Sequence, residues 1–155
     1  MSTTPSPRAV RWLNPDEERA WRAFRRIMVA VQTGTARDLA AIGLSEADYE
    51  VLSTLSERPG RTSTLGEQAD KMAWSKSRLS RHATRMESRG LLHRAPDPTD
   101  GRGCLLTLTD KGMKTLESAA PTHLESVRDH FIDRLAPEDL AALEAIATRL
   151  GIETD

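Results

Sequence analysis

The sequence has little of the chemistry that builds secreted, membrane-spanning or disulfide-stabilised proteins. Its single cysteine, Cys104, cannot form an internal disulfide, and residues 1–11 are polar where a secretion signal would be apolar. No apolar run approaches the roughly 18 residues that a bilayer-spanning helix needs. We therefore expect a cytoplasmic protein without a membrane partner. Its 155 residues and 38% hydrophobic content suffice for a core without metals or disulfides.

Catalytic motifs are also missing. Cys104 has no evident base beside it, and no glycine-rich phosphate loop occurs, so we expect no enzyme, no catalytic residue and no cofactor. His123 and His130 lie two helical turns apart, too far for both to ligate one ion easily, and no cluster completes a tetrahedral metal set. We expect these histidines to face solvent or a partner subunit, and Cys104 to serve packing. A redox- or metal-responsive protein stays an alternative.

The chain has no excess of basic charge, because 22 Lys and Arg residues meet 23 Asp and Glu residues. These charges are segregated, however. From Lys71 to Arg94 seven basic residues accompany one acid, Glu87, so this segment carries +6 in a chain of net charge −1. One cationic face on a near-neutral protein is typical of a DNA reader with a separate acidic assembly region, although a solvated helix face has the same composition.

Capping signals divide the chain into helices. Starts are predicted at five polar cap residues and one proline: Asn14, Ser45, Thr64, Ser75, Thr109 and Pro137. Ends are predicted near Gly43, Arg58, Met72, Gly90 and Leu135, with a kink at Pro121. The first helix and the last two carry apolar stripes that exceed what a small core can cover, so we expect a second subunit.

The helix that begins at Ser75 is the candidate DNA reader. Leu79, Ala83 and Met86 form its buried stripe, and at 100° per residue the opposite side carries small hydroxyls and arginines. Arginine can donate two hydrogen bonds to guanine, and serine lets the backbone approach the base edges of a major groove. The candidate DNA contacts are Ser75, Lys76, Ser77, Arg78, Arg81 and Arg85.

A hairpin is predicted after this helix. Residues 91–94 and 104–108 have strand character, and prolines and glycines in residues 95–103 exclude a helix between them. Arg102 at the charged tip is a candidate for the adjacent minor groove, and Asp100 is expected to orient an arginine. The fold class is therefore mainly α with a small β wing: a winged helix-turn-helix domain flanked by N- and C-terminal dimerisation helices.

These residues resemble the signature of the MarR family of prokaryotic transcription regulators, in register from about Leu44 to Gly112. The matching positions are Ser80-Arg81, Met86-Glu87, Arg89-Gly90-Leu91, Arg94, Asp100-x-Arg102, Leu108-Thr109 and Gly112. Gly101 departs from the family, in which a second arginine is frequent there. We divide the chain into an N-terminal arm (1–13), a dimerisation helix (14–43), the winged helix-turn-helix DNA-binding domain (44–109) and C-terminal dimerisation helices (110–155).

The resemblance implies a homodimeric repressor on double-stranded DNA. The two-fold axis of such a dimer predicts an inverted-repeat operator. It also implies release by a small-molecule effector, often a phenolic or aromatic acid, for which Trp21 and Tyr49 are weak candidates. The alternative is a winged-helix protein-interaction module that has lost DNA reading.

Overall fold

The computed structural model describes residues 10–152. In chain order the elements within that range are α1 (Pro15–Ala41), α2 (Glu46–Ser56), β1 (Thr62–Thr64), α3 (Leu65–Lys71), α4 (Lys76–Ser88), β2 (Leu92–Asp97), β3 (Asp100–Leu108), α5 (Asp110–His130) and α6 (Pro137–Arg149). Short 3-10 turns occur at Pro59–Arg61 and Ile132–Arg134. The expected fold class, mainly α with a small β wing, is confirmed. Most of the N-terminal arm lies outside the described residues, and the division into dimerisation and DNA-binding parts stays a prediction.

The predicted helix starts are confirmed by their hydrogen bonds. The cap side chains of α1 to α5 each accept a bond from a backbone N–H in the first turn, at 2.9 to 3.2 Å. In α6, Pro137 is the first helical residue and the carboxylate of Asp139 accepts from the N–H of Ala136. Because these bonds satisfy donors that the helix itself cannot, the sequence sets each start locally. Within residues 10–152, none of the helices combines the length and the apolar character needed to cross a bilayer.

The structure differs from the predictions in one additional strand and in the ends of three predicted elements. Strand β1 was not expected, because three polar residues give no alternating pattern; it pairs with β3, so the sheet order is β1-β3-β2. The wing strands extend through most of the predicted loop and leave only Pro98 and Thr99 between them. Pro96 is tolerated because β2 is an edge strand. Helix α5 ends at His130 and does not reach Leu135, since Phe131 leaves the helical region (φ −142°, ψ −69°).

The hydrophobic core lies between the sheet and the four helices α2, α3, α4 and α5. Leu79, Ala83 and Met86 are fully buried, which confirms the predicted inner stripe of α4. They pack in one cluster with residues from α2, α3, the sheet and α5, including Leu52, Leu55, Ala69, Leu106 and Leu116. The predicted helix end at Gly90 is confirmed by its φ of 73°, a left-handed conformation that glycine adopts without strain. The core therefore fixes which side of α4 faces outward.

Helix α1 is held to α5 by one polar cluster near its C-terminal end. Asp38 Oδ2 accepts from Ser126 Oγ at 2.7 Å and lies 2.8 Å from His130 Nε2. These hydrogen bonds from Ser126 and His130 hold the pKa of Asp38 below its ordinary value. The His130 ring packs where a side chain on Gly34 would sit. His130 therefore contacts α1 of its own chain and is mostly withdrawn from solvent, while its position at a subunit interface stays a prediction.

Most of α1 and all of α6 leave apolar side chains uncovered. Trp21, Phe24 and Ile27 on α1 are about half exposed, and α6 has no buried residue. Between the two helices lies an apolar groove of about 600 Å³ lined by residues that include Phe24, Met28, Phe131, Leu143 and Ile146. Such contiguous apolar surface is unusual on a monomer.

Candidate nucleic-acid interface

Helix α4 presents its polar side to solvent. It follows α3 through a tight turn in which Ala73 adopts a left-handed conformation (φ 52°) and Trp74 N–H bonds the carbonyl of Ala69 at 2.9 Å. The predicted contact residues on α4 and at its cap are all exposed: Ser75, Lys76, Ser77, Arg78, Arg81 and Arg85. The helix and its turn have the arrangement of a helix-turn-helix, with one polar strip that a DNA groove could admit.

Two of these arginines are positioned by aromatic neighbours. The guanidinium of Arg78 stacks 3.7 Å from the centre of the Trp74 ring, a cation–π contact. Arg85 Nη2 lies 3.1 Å from His82 Nδ1. Because a guanidinium can only donate, Nδ1 is the acceptor in this contact. The role of Trp74 was missed, because Trp74 precedes the cap residue Ser75 and helical spacing does not pair a residue outside α4 with Arg78.

Arg81 and Arg102 have no side-chain hydrogen bond or ion pair with any other residue in the described range. Arg81 lies in the middle of α4, and Arg102 lies near the tip of the wing. Asp100 accepts from the backbone N–H of Arg102 at 3.1 Å, so it fixes the chain at the tip and does not pair with the guanidinium. A side chain on Gly101 would meet open space. Both free guanidinium groups can therefore reach a ligand without breaking an internal contact.

Two other members of the basic segment serve the fold. Arg94 on β2 donates to Ser80 Oγ at 3.1 Å and to Thr84 Oγ1 at 2.6 Å, which ties the wing to α4. Arg89 donates to Asp48 Oδ2 at 2.7 Å and to the carbonyl of Gly43 at 3.1 Å, which ties the end of α4 to α2. The charge of +6 thus overstates the surface available to a ligand.

Asp48 is the centre of this second link. It also accepts from the N–H of Ser45 at 3.1 Å, and its Oδ1 lies 2.9 Å from His82 Nε2. Burial favours the neutral acid, but the hydrogen bonds from Arg89 and Ser45 outweigh it and hold the pKa of Asp48 below 3.8. Burial lowers the pKa of His82 below 6.5, against the pull of the Asp48 carboxylate. The sequence left the environment of His82 open. Its side chain packs on the buried side of α4 as a neutral ring.

A cavity of about 440 Å³ opens between α1, α2 and α5, next to the winged helix-turn-helix; we refer to it as the α1–α2–α5 cavity. Tyr49 lines it and stacks on His123, with ring centres 4.1 Å apart. Of the two aromatic effector candidates, Tyr49 is at this cavity, whereas Trp21 lies on the exposed part of α1 and stacks on Phe24. His123 forms part of the cavity wall and does not simply face solvent, while its position at a subunit interface stays a prediction.

Cys104, His123 and His130 are the residues considered for redox or metal sensing. Cys104 is half-buried on β3 and its Sγ lies 3.6 Å from the carbonyl of Leu105. Between residues 10 and 152, no three His, Cys, Asp or Glu side chains are grouped so that they could hold a metal ion.

Comparison with known proteins agrees with this architecture. A family model described as MarR family matches residues 42–103. The transcriptional regulator HosA of Escherichia coli O111:H- is 32% identical over 119 residues, which cover 76% of this chain and 86% of HosA. The crystal structure of AbsC, a MarR family transcriptional regulator from Streptomyces coelicolor, is 39% identical with a TM-score of 0.85, covering 92% of this chain and 96% of AbsC. A second MarR family regulator from that organism, solved in complex with DNA, is 32% identical with a TM-score of 0.86, covering 92% of this chain and 90% of the other.

Proposed function

Because the chain belongs to the MarR family of transcriptional regulators, we propose that it binds duplex DNA with α4 in the major groove and Arg102 in the adjacent minor groove. The observation that carries this proposal is the outward strip of α4, where Arg81 stands free between small hydroxyl residues while the opposite face is fully buried. A relative at 32% identity has been solved in complex with DNA, which supports the same partner here.

The active form in this proposal is a homodimer. The apolar surface of α1 and α6 and the groove between them need a cover, and a second copy offers the same apolar helices to fill it. A two-fold axis would place two α4 helices one turn of DNA apart, about 10 base pairs, so the operator is an inverted repeat. A dimer bound across a promoter would repress transcription.

The effector site in this proposal is the α1–α2–α5 cavity. Its walls come from α1 and α5, assigned to dimerisation, and from α2, assigned to the DNA-binding domain. A ligand held between these parts changes their relative position, and hence the spacing of the two α4 helices. Cavities of a few hundred Å³ that combine apolar walls with a few polar groups are typical of small-molecule sites. Binding there would release the DNA.

The experiment that tests DNA binding is selection of bound fragments from a random duplex library. We expect an enriched inverted repeat, and an affinity that falls steeply with added salt as phosphate counterions are released. Arg81→Ala should cost about 1–3 kcal/mol on that repeat and blur the base preference. Arg128→Ala removes the same charge from an exposed position on α5 and should leave binding unchanged. Absence of any enriched sequence, or affinity that is indifferent to salt, contradicts the proposal.

Light scattering tests the dimer independently. We expect twice the chain mass of 17.2 kDa at micromolar concentration. A monomer in that range is incompatible with the two-fold arrangement, whatever the DNA result.

A further inference from the structure

The α1–α2–α5 cavity has an unusual charge for the ligands that the family resemblance implies. Two carboxylates, Glu46 and Glu50, are among its lining residues, and the lining includes no lysine or arginine. The remaining polar groups are hydroxyls, an amide and the imidazole of His123. An aromatic acid would bring a third negative charge into this space with no cation to meet it.

The imidazole does not supply that missing cation. Burial lowers the pKa of His123 below 6.5, so the ring is predominantly neutral near pH 7, and Nδ1 has no hydrogen-bond partner within the described part of the chain. Burial likewise raises the pKa of Tyr49 above 10.0, which keeps the phenol protonated. The aromatic part of the lining, Tyr49 on α2 and His123 on α5, is therefore a neutral pair of stacked rings.

The positive charge that acts on Glu50 belongs to Arg78, which lies outside the cavity. Burial raises the pKa of Glu50, the charge of Glu46 adds to that rise, and the charge of Arg78 on α4 opposes it. Arg78 does not line the cavity, and its guanidinium is stacked on Trp74. Glu46 is bonded by the neutral hydroxyl of Thr35. Neither carboxylate is within ion-pair distance of a cationic side chain in residues 10–152.

We propose that this cavity binds an organic cation, an amine carried on an aromatic or apolar body. The proposal rests on the proposed effector role of the cavity and changes the expected ligand from an aromatic acid to a base. The ammonium would lie between Glu46 and Glu50, where each carboxylate can accept a charge-assisted hydrogen bond. The apolar body would lie against Val31, Leu39 and the Tyr49 ring, and an ammonium near that ring gains a cation–π contact.

Calorimetric titration with two matched probes tests the charge preference. Tyramine and 3-(4-hydroxyphenyl)propionate share a phenol and a two-carbon chain, and differ in carrying an ammonium or a carboxylate. We expect tyramine to bind at least tenfold more tightly than the propionate, which corresponds to about 1.4 kcal/mol. Equal binding, tighter binding of the propionate, or no binding of tyramine in the millimolar range overturns the proposal.

Variants assign the preference to the two carboxylates. The double variant Glu46→Gln, Glu50→Gln should lose it, because glutamine keeps the shape and removes the charge. Glu57→Gln, at the exposed end of α2 and outside the cavity, is the matched control and should keep it. Thermal unfolding of each variant checks that it is folded. If the folded double variant still prefers tyramine, the cation is bound elsewhere and the proposal fails.

The duplex selection, followed by a gel shift on any enriched sequence, separates this proposal from the proposed function. If the ligand-free protein does not bind DNA but tyramine preference depends on Glu46 and Glu50, the regulator assignment fails and the ligand class stands. If the protein binds DNA and shows no such preference, the ligand class fails alone. Release of DNA by tyramine, absent in the double variant, supports both.

Discussion

Replacing Asp48 with alanine should destabilise the protein more than any other single change of an acidic residue in the DNA-binding part. The side chain is 7% exposed and makes three contacts that join α2 to α4: with the N–H of Ser45 at the cap of α2, with Arg89 at the end of α4, and with His82 on the inner side of α4. Asp48→Ala removes all three contacts at once and leaves His82 Nε2 buried without a polar neighbour.

The magnitude follows from these contacts. A hydrogen bond to a charged group contributes about 1.5–3 kcal/mol, and the lower end applies because Arg89 is 42% exposed and can rehydrate. Loss of the reciprocal capping bond adds about 0.5–1 kcal/mol. We therefore expect a loss of about 2–3 kcal/mol, which lowers the unfolding midpoint by roughly 4–12 °C for a chain of this size.

Urea unfolding followed by circular dichroism at fixed protein concentration measures this loss. Asp70→Ala is the control and should change little, because Asp70 is exposed on α3 and its carboxylate has no hydrogen bond or ion pair within residues 10–152. A loss below about 1 kcal/mol for Asp48→Ala would refute the energetic importance of the cluster.

The same variant predicts a pH dependence. Because the folded pKa of Asp48 is below 3.8, the unfolded chain takes up the proton first as pH falls. The stability contributed by the carboxylate is thus complete above about pH 5 and is lost as pH falls through the folded pKa. The difference between parent and Asp48→Ala should shrink in that acidic window, and a difference that is constant down to pH 3 would contradict the linkage.

Three further changes test other parts of the argument. Gly112→Ala should lower the free energy of unfolding in urea by about 1–3 kcal/mol or more, because its Cβ would lie 2.0 Å from the carbonyl oxygen of Leu91. Gly101→Ala is the control and should leave the free energy of unfolding unchanged, because its Cβ would lie in open space. Arg94→Met should cost about 1–2 kcal/mol, since Ser80 and Thr84 lose their donor, and an unchanged unfolding midpoint would deny the link between wing and α4. Gly101→Arg should tighten DNA binding and steepen the slope of log affinity against log salt by about 0.9, and an unchanged slope would mean that the tip does not reach a phosphate.

How much of the fold could be predicted depended on how local the determining contacts are. The starts of α1 to α5 were predicted because a cap side chain bonds a backbone N–H two or three residues away, as Asn14 and Thr109 do. Strand β1 was not predicted, because Thr62 to Thr64 become a strand only by pairing with residues 105–107, far along the chain. The early end of α5 at Phe131 likewise has no cap signal in the sequence.

The candidate site divides in the same way. The outward strip of α4 follows from helical periodicity, so its residues could be named from the sequence. The partners of Arg89 and Arg94 could not be named from the sequence, because only the tertiary fold brings Asp48 next to Arg89 and Ser80 next to Arg94. The cavity is the clearest case: Glu46, Tyr49 and Glu50 are close together on α2, but only packing against α1 and α5 makes them one surface.

Some basic residues of this segment hold the fold together and others are free to bind a ligand, and this difference bears on the proposed DNA binding. Arg94 anchors one flank of α4 to the wing, and Arg89 anchors its end to α2, so the helix is held from two sides before any ligand arrives. A contact surface ordered in advance loses less conformational entropy on binding, so in the proposed complex with DNA more of the contact energy of Arg81 would appear as affinity. In the proposed complex we therefore expect the two anchoring arginines to contribute to affinity through the order they impose on α4, a role that counting charges does not assign to them.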